Sequence, residues 1–95
     1  MAQVSYNTYM SDKKAFIEKH GRDGWTVSTS ELDSYDRYMK TYIFEDGAEF
    51  YELMSPVTEV AEFNHRGIKM QAEVKLFKTE YWSSEFESRE VYEKY

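Results

Sequence analysis

The stretch Ile68-Lys69-Met70-Gln71-Ala72-Glu73-Val74-Lys75-Leu76-Phe77-Lys78-Thr79-Glu80-Tyr81 decides the fold class. Ile68, Met70, Ala72, Val74 and Leu76 alternate with Lys69, Gln71, Glu73 and Lys75, the period-two mark of a strand with one apolar face. After Leu76 the phase changes, and Phe77, Thr79 and Tyr81 become the apolar set. So long a strand is unusual. A β-bulge near Leu76-Phe77 would bring the second set onto the inner face; without one, Phe77 and Tyr81 sit on the opposite face, as surface or second core. Just before this stretch, Asn64-His65-Arg66-Gly67 reads as a turn in which Gly67 supplies positive φ. Val57 to Phe63 reads as the preceding strand.

Further toward the N-terminus, 37–45 and 48–54 read as a hairpin across Asp46-Gly47. An Asp-Gly pair between β-prone runs suits a type I′ turn, which needs positive φ at both central positions. Ser55-Pro56 is expected to interrupt the ladder, because proline lacks the donor N–H. Trp25 to Ser28 reads as a short strand. Thr29 to Asp36 is polar, and a helix carrying Leu32, Tyr35, Met39 and Tyr42 on one face ranks second to the strand reading there. Ser11 is the expected N-cap of a helix that ends at Gly21, with Lys13, Phe16, Ile17 and His20 on one face and a left-handed exit at the glycine. Residues 1–10 read as a tail or edge strand, from the alternation of Val4, Tyr6 and Thr8. At the other end, Ser84-x-x-Glu87 has the form of a capping box. Phe86, Ser88, Glu90 and Tyr92 instead suit a final antiparallel strand over 85–95, and that reading is preferred. The expected architecture is α+β: an antiparallel β-meander of about 4–6 strands with one short N-terminal helix packed on it. It forms a single small domain over 1–95.

Composition narrows the function classes. The 95 residues hold 12 basic and 18 acidic side chains, for a net charge of −6, and 18% of them are aromatic. Such aromatic content argues for a folded core rather than disorder. Cysteine is absent, which removes disulfides, thiolate metal sites and cysteine nucleophiles. The first ten residues have neither a basic start nor an apolar run, so no signal peptide is expected. No window is apolar enough for a membrane span. The expected location is the cytoplasm, or the host cytoplasm if the protein is viral.

Charge is unevenly placed. Residues 31–62 carry two basic and nine acidic groups, whereas 63–78 carry four basic and one acidic. A nucleic-acid binder normally shows a broad basic face. Here direct binding would depend on Arg66, Lys69, Lys75 and Lys78 with Phe77 and Tyr81, as a weak single-strand reader. Neighbouring acids argue against it. The two histidines, His20 and His65, lack a convincing ligand set, so no metal or other cofactor is expected. No glycine-rich phosphate loop, catalytic triad or EF-hand loop around Asp33–Asp36 is present, and no catalytic residue is assigned.

What remains is acid interleaved with aromatic surface. Tyr38, Tyr42, Glu45, Asp46, Glu49, Tyr51 and Glu52, with Trp82 and Glu85, are the candidate partner-binding residues. Tyrosine and tryptophan give large contact area at low entropic cost, and acids beside them steer toward a basic surface. The expectation is a small, acidic, non-enzymatic protein that docks on a basic, nucleic-acid-binding groove of a larger partner and inhibits or modulates it. In size and charge alone it resembles phage-encoded anti-defence proteins, such as anti-CRISPR proteins. The alternative is a structural subunit that self-associates, as a homodimer or larger assembly, through an exposed strand edge.

Overall fold

A computed structural model of the chain describes residues 2–31 and 36–94. Among the described residues six strands form one sheet, in the order β1-β6-β5-β4-β3-β2. They are β1 (Ala2–Gln3), β2 (Trp25–Glu31), β3 (Tyr38–Phe44), β4 (Glu49–His65), β5 (Ile68–Ser83) and β6 (Arg89–Lys94). β2 to β6 follow one another as an antiparallel meander, and β1 adds to the edge as the single parallel pair, on β6. One helix, α1 (Tyr6–His20), packs across one face of the sheet. The fold is therefore α+β, with the expected N-terminal helix on a largely antiparallel sheet.

α1 starts six residues earlier than Ser11 suggests. Ser5 is the N-cap: its backbone is extended, and its hydroxyl accepts the Thr8 N–H at 3.1 Å. Val4, Tyr6 and Thr8 alternate, yet the strand there is only Ala2–Gln3, and Tyr6 and Thr8 are helical. The helix buries Tyr9 and Phe16, two turns apart, and half-buries Asp12, Lys13, Ile17 and His20 on the same side. Gly21 does not supply the left-handed exit, since its φ is −83°. It is needed for space, because a Cβ there would lie 3.0 Å from Trp25 Cδ1. Positive φ comes instead at Gly24, after a 3-10 turn over Gly21–Asp23.

The expected type I′ turn at Asp46-Gly47 is not the one found. Only Gly47 has positive φ, and the Gly47 N–H donates to Phe44 O at 3.0 Å while Phe44 N–H donates to Ala48 O at 3.0 Å. This is a three-residue loop, a turn closed by a left-handed glycine. The two-residue turn with both φ positive lies at Arg66 (53°) and Gly67 (78°), between β4 and β5.

The expected break at Ser55-Pro56 does not occur, and of the two readings at Leu76-Phe77 the one without a bulge is found. Ser55 and Pro56 lie within β4, paired with Lys78 and Phe77. β3 ends its pairing at Met54, so Pro56 stands where β4 no longer has that neighbour and its missing donor costs no ladder bond on that side. No bulge occurs at Leu76-Phe77. The β4–β5 register runs unbroken from Phe50↔Ser83 to His65↔Ile68. The phase change in the sequence is a change of face. Near the body, Phe50, Glu52, Thr79 and Tyr81 point under α1. Toward the tip, the apolar residues Ala61, Phe63, Ile68, Met70, Ala72, Val74 and Leu76 point to the opposite side.

The core under α1 holds Tyr9, Phe16, Tyr42, Phe44, Ala48, Phe50, Tyr81 and Val91, with Val4, Ile17 and Phe86 packed at its margin. It is built largely of rings: Phe16 lies 5.3 Å from Phe44, 5.4 Å from Phe50 and 6.2 Å from Phe86. Of the alternative helical face at 32–42, Leu32 and Tyr35 lie outside the described residues, while Met39 and Tyr42 are in β3. The expected C-terminal strand is β6.

Candidate functional site

The structure separates the nine sequence-predicted residues into three environments. Tyr38, Tyr42 and Glu52 are on the helix-covered side of the sheet. Tyr42 is buried beside Phe50 and Trp25, and Glu52 is 0% exposed. Glu52 and Tyr42 are thus interior residues, not parts of a docking face. Alternation places Glu52 on the same side as Phe50, and that parity was the signal that an acid here would point inward.

Glu52 is held by the helix. The Tyr9 hydroxyl donates to its Oε2, and Lys13 Nζ donates to both oxygens at 3.2 and 3.3 Å. Lys13 also lies 5.0 Å from the Tyr42 ring centre. Burial pushes the Glu52 carboxyl up to about 7 and lowers the Lys13 ammonium below its usual value. A second helix-to-sheet link runs through Asp12. Its Oδ2 accepts from Tyr81 OH at 2.7 Å and from Arg89 Nη1 at 2.7 Å. Burial and then the Asp12 bond push the Tyr81 phenol up to about 12.

Asp46 and Glu85 meet at the end of the body formed by the β3–β4 turn and the β5–β6 loop, with Glu45 in the same turn beside Gly24. His20 measures how close they are. Its Nδ1 donates to Asp46 Oδ2 at 2.6 Å, and its Nε2 donates to Glu85 Oε1 at 2.7 Å. A carboxylate on each nitrogen favours the protonated ring, in which both nitrogens donate. These bonds raise its pKa above 6.5, the Asp46 bond contributing most. Asp46 is lowered, first by the Ala48 N–H and then by His20; Glu85 is lowered, first by Lys19 at 3.2 Å. Glu45 is exposed in the turn, its N–H donating to Gly24 O at 3.1 Å. Glu87, which the sequence reading did not single out, is exposed beside Trp82, Phe86 and Ser88.

Glu49, Tyr51 and Trp82 are on the uncovered side, at this same end. Tyr51 and Trp82 are cross-strand partners whose rings stack at 5.4 Å and 14°. Tyr51 OH donates to Glu49 Oε2, which raises the tyrosine pKa.

The basic constellation of the nucleic-acid reading is dispersed. Tyr81 is in the core, and Lys78 is tied to Glu80 at 2.8 Å and Glu90 at 3.4 Å. Lys69 and Lys75 are out on the hairpin among Glu62 and Glu73. Among the described residues no group of three or more His, Asp or Glu side chains is arranged to hold a metal ion, and no helix is long and apolar enough to cross a membrane.

No family model, curated protein or solved structure matches the chain.

Proposed function

We propose that the chain acts by contact rather than by catalysis, docking the acidic end of its body on a basic surface of a larger protein. One observation carries this reading: the β3–β4 turn and the β5–β6 loop bring Asp46 and Glu85 together on His20, with Glu45 exposed in the same turn and Glu87 in the same loop. The charge distribution supports it. Residues 57–76 carry three acids and three bases, so the whole net charge of −6 belongs to the rest of the chain. The stacked Tyr51–Trp82 pair beside Glu49 supplies ring area next to that charge. Acid at the rim speeds encounter with a basic groove, and ring contact slows escape.

A basic groove that normally holds nucleic acid is the partner class this charge suits, and occupying it would inhibit the partner. The size and acidity shared with phage-encoded anti-defence proteins make nucleic-acid-guided effector complexes the first partners to screen.

The test begins with capture from the lysate of the source organism or its host, with mass spectrometry of what is retained. Affinity of the captured partner is then measured for the wild type and for a Glu45→Lys, Glu87→Lys double variant. Asp46 and Glu85 stay in place, because they hold His20. The reading expects affinity to fall by roughly tenfold or more and to weaken with added salt, with unfolding unchanged. Undiminished affinity of the reversed variant refutes it.

A further inference from the structure

Beyond Met54 in β4 and before Leu76 in β5, no other strand flanks the hairpin among the described residues. Thr58 to Lys75 thus form a two-stranded arm, about 30 Å long at ~3.3 Å per residue. A hairpin with no third strand and no covering layer is at best marginal in water. This one also turns its apolar side to solvent: Phe63 is 45% exposed, Ile68 65% and Met70 43%. The same side continues in register to Val57 and the buried Leu76, then past the Lys78–Glu80–Glu90 ion pairs to Leu53 and the Tyr51–Trp82 stack. Ile43, 51% exposed, lies on it in β3.

From this arrangement we propose that the uncovered side of the sheet is a self-association surface. The arm of one copy lies across the body of a second, related by a two-fold axis near Val57 and Leu76.

Three observations favour a second copy in this orientation. The first is area. The arm alone offers a footprint of about 30 by 15 Å, roughly half the ~800 Å² per partner of a standard interface; the full stripe from arm tip to Trp82 is nearly twice as long. The second is charge. The arm is neutral and the body carries −6, so stacking body on body would bring two acidic surfaces together. Arm on body keeps the bodies at opposite ends. The third is chemical match. The arm presents Phe63, Met70 and Ile68, the body presents Tyr51, Trp82 and Ile43, and a two-fold axis makes both contacts at once. Ribbons of equal twist stack at the angle of about −30° seen in aligned sheet packing.

This surface shares the Tyr51–Trp82 stack with the acidic end but uses neither Glu45 nor Glu87, so Glu45→Lys with Glu87→Lys leaves the association intact.

The arm contains its own control. Val60, 62% exposed, and Phe63 lie on opposite faces of the same strand. Sedimentation equilibrium of the full chain is expected to show a dimer at micromolar concentration. Phe63→Asp should raise its dissociation constant about 100-fold, whereas Val60→Asp leaves it within about threefold. Absence of cysteine permits a spin label at Arg66→Cys alone. In a mixture of labelled and isotope-enriched unlabelled chains, the label should broaden amide signals around Tyr51 and Trp82 of the unlabelled copy. A chain still monomeric at millimolar concentration overturns the proposal, whatever else covers the arm. So does a dimer that responds equally to both variants, or broadening confined to the partner's arm tip.

Discussion

The two halves of the β4–β5 hairpin share one register and one pair of strands, yet they live in different solvents. The proximal half has β3 and β6 beside it and α1 above it, so Phe50, Glu52 and Tyr81 are cut off from water. Among the described residues the distal half has neither flank nor roof. Alternation alone does not tell these apart, since both halves read as apolar residues at every second position. What differs is which parity is apolar, and the parity switches where the neighbouring strands stop. Strand patterning thus records which side something is packed against, not merely that a strand exists.

The largest test of this contrast is paired truncation. Phe50→Ala should cost about 3–5 kcal/mol, enough to unfold much of a domain of ordinary stability. Phe63→Ala in monomeric chains should stay within about 0.5 kcal/mol. Denaturant unfolding under dilute conditions measures both. Equal costs would mean that the arm is part of the core.

The next effect concerns pH. Glu52 has an ordinary carboxyl value of 4.5 in the unfolded chain and about 7 when folded, so folding favours its protonated form. Its contribution is greatest in acid and declines as pH climbs from 4.5 to 7, by roughly 3 kcal/mol for that interval. His20 acts in the same direction at higher pH. Its raised value gives stability that is complete below 6.5 and lost as pH rises through the folded value. Asp46 and Glu85, both lowered, give stability that is lost only as acid protonates them. Unfolding free energy should therefore peak at about pH 5 and be smaller at pH 8. Glu52→Gln should remove the decline between 4.5 and 7, and a decline that persists unchanged would remove Glu52 as its source.

A smaller effect belongs to the arm tip. Gly67→Ala places a side chain at φ 78° and should cost about 1–2 kcal/mol. The loss should appear as faster hydrogen exchange at 58–75 and leave the amides of 50–54 and 79–83 unchanged. Least of all, His20→Gln should flatten stability against pH above 6.5 without removing the decline between 4.5 and 7 set by Glu52.

Most of the sheet could be read from the chain, because alternation and turn residues are local. The strand ends at Asp46-Gly47 and Arg66-Gly67, the strand at Trp25 and the change of phase at Leu76 all follow from neighbouring residues. The start of α1 could not be read so directly. Its inward side carries Asp12, Lys13 and His20, and their partners Arg89, Glu52, Asp46 and Glu85 are brought near only by the fold. A helix that docks through charges looks weakly amphipathic, so Ser11 was as good a cap as Ser5. The acidic site was half legible: Asp46 and Glu85 meet at one end, but the histidine they share is a long-range contact, and Glu45 stands apart from it in the turn. Tyr42 and Glu52 were grouped with them by composition, although their strand parity assigned them to the interior.

The elongated outline has a hydrodynamic consequence. The chain measures 60 × 29 × 19 Å, with a radius of gyration of 17.0 Å, where a compact fold of this length would have about 12 Å. A lone copy diffuses like a heavier sphere. Its elution volume calibrated on globular standards would overstate its mass, so assembly must be judged by methods that weigh the particle rather than time its passage.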